Sequence, residues 1–185
     1  MLGVLESRLM SEQHSNRTPG PCAIVVSRYN TSVTGVMLDG AMGAYLERGG
    51  AGASLAVLEA PGAFELVSIA RAAASSGMYA SVVCLGCVIK GETEHDRHIG
   101  NAVANGLAAI SVQTGVPVAF GVLTTNTNEQ ALARAGGAKG NKGAEAMAAA
   151  LDAADAIAAV VGAKSGDHPG IRFTPGLNPA DKLAD

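Results

Sequence analysis

Ser81-Val82-Val83-Cys84-Leu85-Gly86-Cys87-Val88-Ile89-Lys90-Gly91-Glu92-Thr93-Glu94-His95 is the stretch that decides the fold. Its first nine residues are apolar on both faces, the pattern of a strand buried inside a parallel sheet rather than of one that shows a face to water. A short charged turn follows, and helical character then runs over 95–114, ended by Gly115 just before Pro117. Upstream, 23–27 reads as a strand and 34–48 as a helix through Leu38, Ala41, Met42, Tyr45 and Leu46, closed by Gly49 and Gly50. The pattern repeats with a strand over 54–58 and a helix over 63–76 after the Pro61-Gly62 break. Downstream come a strand over 118–123, a short helix over 128–135 and a long alanine-rich helix over 143–161, with Asn141 as its cap. Strands alternating with helices predict an α/β fold, a four-stranded parallel sheet covered by helices on both faces.

The remaining composition bounds the function. At 185 residues with 48% hydrophobic content the chain can build one sizeable core, expected over 22–162, between an N-terminal arm (1–21) and a mobile C-terminal tail (163–185). A net charge of −3, with Lys and Arg scattered singly, offers no basic stripe for nucleic acid and no polybasic helix for a membrane. Glu6 and Arg8 interrupt the apolar start, so it lacks the continuous segment of a signal peptide. The three cysteines, Cys22, Cys84 and Cys87, are an odd number that argues for reduced thiols, and the cytoplasm is the expected compartment. Aromatics make up only 3%, so small residues are expected to bring helices close, and other subunits to supply further burial.

Open parallel sheets bind ligands beyond the carboxyl ends of their strands. Here those ends carry Ser27-Arg28-Tyr29-Asn30, Pro61-Gly62-Ala63-Phe64-Glu65, the Lys90 to His95 turn, and Gly121 with Thr124 and Thr125. An exposed ring can stack a flat heterocycle and a neighbouring Glu can accept hydrogen bonds, although Tyr29 and Phe64 would equally serve to seal the core. His95, at a strand-to-helix junction, is a natural proton shuttle near neutrality or else a helix cap. Its turn presents backbone N–H groups to an anion, with Gly91 permitting close approach. Arg134 and the Gly-rich basic segment 135–143 suit a phosphate, or are a solvated surface turn. That segment matches neither a nucleotide P-loop nor the dinucleotide glycine fingerprint. Cys84 and Cys87, three apart on a strand, point to opposite faces and are expected to be buried rather than a redox pair. His95 and His98 lie one turn apart but lack a clear third ligand, so no metal is expected.

Read together, Ser27-Arg28-Tyr29-Asn30, Gly62-Ala63-Phe64-Glu65, Gly86 to Thr93 with His95, Phe120-Gly121-Val122-Leu123-Thr124-Thr125, Glu129-Gln130-Ala131, Arg134-Ala135-Gly136 and Gly140-Asn141-Lys142-Gly143 resemble the lumazine synthase family over roughly 22–160. The resemblance implies a flavodoxin-like three-layer sandwich assembled into pentamers, with active sites between neighbouring subunits. It implies a transferase of riboflavin biosynthesis that condenses 5-amino-6-(D-ribitylamino)uracil with 3,4-dihydroxy-2-butanone 4-phosphate, releasing phosphate and water, with no cofactor. By the same resemblance Tyr29 stacks on the pyrimidine, while Ala63, Phe64 and Glu65 hold the uracil and its ribityl chain. Cys87, Val88 and Ile89 offer backbone hydrogen bonds to the uracil. Glu92 and Thr93 surround the ketone phosphate and His95 transfers protons. Phe120 and Arg134 come from the adjacent subunit, the first against the uracil and the second on the phosphate, with Lys142 as a helper.

The chain departs from that pattern at Tyr29, where the family commonly has Phe or Trp, and at Asp96-Arg97-His98, where many relatives carry aromatics. Two further readings share the scaffold: a pentameric riboflavin synthase, and a non-catalytic flavin-binding cage. Pentamer, decamer and icosahedral shell are all compatible with the sequence, and the N-terminal arm and 136–143 are where that choice is expected to be made.

Overall fold

A computed structural model describes residues 18–162. The expected N-terminal arm up to residue 17 and the expected tail over 163–185 lie outside the described residues. Four strands, β1 (Cys22–Ser27), β2 (Leu55–Ala60), β3 (Ser81–Ile89) and β4 (Val118–Thr125), form one parallel sheet in the order β2-β1-β3-β4. This is the flavodoxin-like order, in which the chain winds one way from β1 to β2 and the other way from β3 to β4. Right-handed crossovers then put α1 (Thr31–Glu47) and α5 (Lys142–Gly162) on one face, and α2 (Leu66–Ser75) and α3 (His95–Thr114) on the other. A short α4 (Asn128–Arg134) and a small antiparallel hairpin, β5 (Ala135–Gly137) with β6 (Gly140–Asn141), complete the described chain. Among the described residues no helix is long and apolar enough to cross a membrane.

Side-chain alternation along the central strands builds two cores. Ile24, Val26, Val83, Leu85 and Cys87 face Val33, Met37, Met147 and Leu151 of α1 and α5. Val25, Val82, Cys84 and Val122 face Leu66, Ala70, Val103 and Leu107 of α2 and α3. Cys84 and Cys87 thus enter opposite cores, as their spacing predicts. Burial pushes the Cys22 and Cys87 thiols up to about 11, and the Cys84 thiol higher still, so all three are neutral near pH 7. Small residues bring α1 and α5 together: a Cβ on Gly143 would overlap the Met37 carbonyl. Asn141 caps α5, its Oδ1 accepting from the N–H groups of Gly143 (2.8 Å) and Ala144 (3.2 Å), while its Nδ2 donates to Val36 O (2.9 Å).

Several boundaries move from the sequence reading. Helix α1 starts at Thr31 rather than 34, because the Asn30 carbonyl already accepts from the N–H groups of Val33 and Thr34. Strands β2 and β4 run on to Ala60 and Thr125, their ends held by parallel pairing with β1 and β3. Helix α2 starts at Leu66, leaving Ala63-Phe64-Glu65 in a turn at the head of the sheet. The β5–β6 hairpin is absent from the sequence reading, since Ala135, Gly136 and Gly137 carry no strand-forming side chains; Gly136 and Gly140 supply its positive φ values of 124° and 78°.

Candidate active site

The reversal of winding between β1 and β3 opens a crevice at the carboxyl end of the sheet. The two strands separate there for a definite reason. The β1–β3 ladder stops at Val26 opposite Leu85, whereas β3 continues four residues further, paired with β4 as far as Ile89 opposite Thr125. Val82 N–H donates to Pro117 O (2.9 Å) and Lys90 N–H to Thr125 O (2.8 Å). Peptide groups alternate sides along a strand, so the even residues of β3 address β4 and the odd ones, Cys87 and Ile89, address the β1 side. Past the end of β1, that side is an open polar edge.

The loop after β1 folds over this edge. Arg28 N–H donates to Ala60 O (2.9 Å), Tyr29 N–H donates to Ser27 Oγ (3.2 Å), and Thr34 Oγ1 donates to Ser27 O (3.0 Å). These bonds hold the backbone while leaving the Tyr29 ring 70% exposed. Beside this loop, the turn after β2 is tied by Leu66 N–H to Ala63 O (3.3 Å) and by Ser68 Oγ donating to Glu65 O (3.0 Å), and it presents Phe64 at 60% exposure. Gly62 lies between the two sides: a Cβ there would stand 2.8 Å from Glu65 Oε2 and 3.4 Å from the Tyr29 ring. Its missing side chain lets ring and carboxylate approach each other. Large aromatics exposed to water are costly, so two of them beside an open backbone edge mark a surface built to bind a flat, polar-edged molecule.

A cleft of ≈ 440 Å³ gathers Tyr29, Ala63, Phe64, Glu65, Cys87, Val88, Ile89 and His95, eight of the residues singled out from sequence, and adds Asn30 and Ile99. Cys87 reaches it through its backbone, for the residue is buried. His95 opens α3, its N–H donating to Thr93 Oγ1 (3.4 Å), and its side chain is exposed. A groove beyond Phe64 extends the cleft along α3 past His98 and Ala102. Glu92 and Thr93 lie on the exposed turn leading to His95 and do not line the cleft.

The other expected site residues are elsewhere in the chain. Phe120, on β4 opposite Cys84, is 42% exposed and lines a second cleft of ≈ 430 Å³ on the far side of α3, with Asp96, Arg97, Thr124 and Asn126. Arg134 closes α4, with Nη1 donating to Gln130 O (2.9 Å) and no ion pair among the described residues. Lys142 pairs with Glu145 at the start of α5. Sequence reading missed Asn30, the sole non-glycine residue with positive φ among the described residues (φ 57°, ψ 48°), whose Nδ2 donates to Cys87 O (2.9 Å). The available signal was an Asn in the short link between a buried strand and a helix, since Asn tolerates the left-handed region better than most residues.

Comparison with known proteins identifies the family. Residues 21–158 match the family model for 6,7-dimethyl-8-ribityllumazine synthase. A protein of that name from Deinococcus deserti is 47% identical over 141 residues, which cover 76% of this chain and 90% of the relative. The match takes in all four strands, the crevice between β1 and β3, and the turn that carries His95, and on that extent the chain belongs to the 6,7-dimethyl-8-ribityllumazine synthase family.

Proposed function

We propose that this chain catalyses the condensation of a ribitylaminouracil diamine with a four-carbon ketone phosphate to give 6,7-dimethyl-8-ribityllumazine, phosphate and water. The observation that carries this reading is the end of β3 beyond its last β1 partner, at Cys87–Ile89, flanked by the Tyr29 and Phe64 rings and by His95 in one cleft. A pyrimidine carries carbonyl and N–H groups on its rim and a π-face on each side, which matches a backbone edge beside aromatic walls. Glu65 accepts hydrogen bonds from the ribityl hydroxyls, with Ala63 and Phe64 shaping that end of the pocket.

Both substrates are reactive in water, so the main task is to hold them together. An amine of the diamine attacks the ketone carbonyl, water leaves to form an imine, and phosphate is eliminated. The second amine then closes the ring on the newly formed carbonyl, with loss of a second water. Proximity provides the larger part of the acceleration, and His95 relays protons between the amine and the departing groups. The ketone phosphate rests on the Glu92-Thr93 turn, where backbone N–H groups before α3 favour an anion. No step requires a metal or redox cofactor, because the overall change is condensation and elimination.

The phosphate cations and the third ring come, in this reading, from a neighbouring subunit: Phe120 covers the uracil, Arg134 forks onto phosphate and Lys142 assists. Two features of the β4 side support a second copy seated there. Phe120 is a large ring left 42% exposed in a mainly polar cleft, and Asp96 Oδ1 is buried with no hydrogen-bond partner among the described residues. Heterologous contacts of this kind close into a ring when the rotation allows, and the family resemblance implies that the ring is a pentamer. Neutral, buried thiols are compatible with a cytoplasmic enzyme. The test is to mix purified protein with the two substrates and follow lumazine fluorescence and phosphate release together. Matched appearance of both above the uncatalysed rate is expected; no acceleration by folded, oligomeric protein would sink the reading.

A further inference from the structure

We propose that Asn30 is a positioning residue that sets the register in which the flat heterocycle meets the open edge of β3; this rests on the uracil-binding reading of the cleft. The argument starts from the backbone. Asn30 occupies the left-handed region at φ 57° and ψ 48°, and there its carbonyl accepts from the N–H groups of Val33 (2.8 Å) and Thr34 (3.0 Å), starting α1. The same conformation turns its side chain back toward the sheet, where Nδ2 donates to the Cys87 carbonyl at 2.9 Å.

That carbonyl lies past the last β1 partner of β3, since the ladder ends at Leu85. The amide of Asn30 therefore takes the place that a peptide N–H would hold if β1 were longer. It has two consequences for a ligand. One of the two lone pairs of the Cys87 carbonyl is committed to Asn30, and the next peptide groups facing that side are those of Ile89, about 6.6 Å further along the strand. The bond also ties the loop bearing the Tyr29 ring to β3, which fixes the distance between the stacking surface and the hydrogen-bonding edge. Of the backbone positions that the sequence assigned to the uracil, Ile89 thus becomes the principal one and Cys87 a structural anchor.

Glycine and aspartate separate the two jobs. Asn30→Gly retains the left-handed turn and the start of α1 but removes the amide; Asn30→Asp keeps the shape but sets an acceptor against the carbonyl. A role confined to the turn would leave Asn30→Gly indistinguishable from wild type. We expect the glycine variant to assemble and melt close to wild type, to bind 6,7-dimethyl-8-ribityllumazine about tenfold more weakly in a fluorescence titration, and to be inhibited by inorganic phosphate as before. The aspartate variant should bind lumazine at least as weakly. In the unliganded protein, hydrogen exchange at the Lys90 amide, held by Thr125 O at 2.8 Å, should accelerate by about fivefold in the glycine variant as the end of β3 loosens. Wild-type lumazine affinity in Asn30→Gly, or equal loss of lumazine and phosphate binding, overturns the assignment. A wild-type protein that binds no lumazine would instead overturn the uracil reading, and unchanged exchange in Asn30→Gly would then overturn the anchor as well.

Discussion

Helix α3 separates two clefts of nearly equal size and opposite character. On the β1 side, ≈ 440 Å³ is walled by Tyr29, Phe64 and Ile99 and floored by the backbone of β3. On the β4 side, ≈ 430 Å³ is lined by Asp96, Arg97, Asn101, Thr124 and Asn126, with Phe120 as its one ring. Consecutive residues of one helix serve both: His95 opens on the first, Asp96 and Arg97 on the second. A parallel sheet with helices on both faces has one switch point, and the cleft over it is where such sheets bind ligands. The β4 cleft lies beside a strand whose pairing with β3 is complete to Thr125. The contrast teaches that the residues singled out from sequence fall into two groups on opposite sides of α3, with His95 in one and Phe120 in the other.

That contrast can be broken in steps. His95→Ala should lower kcat by roughly a hundredfold without abolishing turnover, the range for loss of one general acid–base group when proximity remains. Inactivity at the limit of the uncatalysed rate would refute proximity as the main term. Arg134→Ala should raise KM for the ketone phosphate by about tenfold or more and leave that for the uracil unchanged, because it removes one charge-assisted fork. Equal effects on both substrates in steady-state kinetics would detach Arg134 from the phosphate. Tyr29→Ala should cost about tenfold in uracil KM, from 1 to 1.5 kcal/mol of lost stacking, whereas Tyr29→Phe should be nearly neutral. A large loss in Tyr29→Phe would show that the hydroxyl, a departure from the family pattern, has a function of its own.

The smallest effect concerns stability rather than turnover. Folded Cys22 and Cys87 hold their protons up to about pH 11, while an unfolded thiol releases its proton near 9. Their contribution is therefore complete below pH 9 and is lost as pH climbs through 9 to 11, because the unfolded chain binds fewer protons there. Chemical denaturation across that range should show a falling midpoint, with a shallower fall in Cys22→Ala. An unchanged slope in that variant would remove Cys22 from the account.

Strand β3 was legible to the residue because it is apolar on both faces and bounded by turn residues, and α3 because Gly115 and Pro117 terminate it. The order of the four sheet strands and the helices that follow them came from periodicity together with Gly and Pro breaks. Position 63 was harder: Ala63-Phe64-Glu65 has helix-forming composition, but Phe64 stands out from the crevice rim, and helical periodicity does not distinguish an exposed ring with a ligand to meet from one on a packed face. The site was legible wherever a strand end and a sequence motif coincide, which accounts for the eight residues around the first cleft. Asn30 was not, because its value lies in a backbone angle and a bond 57 positions away along the chain. Phe120, Arg134 and Lys142 were marked by sequence motifs, but the fold of the chain leaves them out of the cleft that holds His95.

Subunit mixing tests the divided site most directly. One variant carries Phe64→Ala with His95→Ala, and the other carries Phe120→Ala with Arg134→Ala; each is assayed alone and after dissociation and co-assembly. If each site combines one subunit's β1-side cleft with its neighbour's β4-side residues, random mixing rebuilds about a quarter of the contacts with both halves intact, and lumazine formation rises well above either variant alone. Mixed oligomers no more active than their components would contradict the account, and would return Phe120 and Arg134 to the subunit that carries His95.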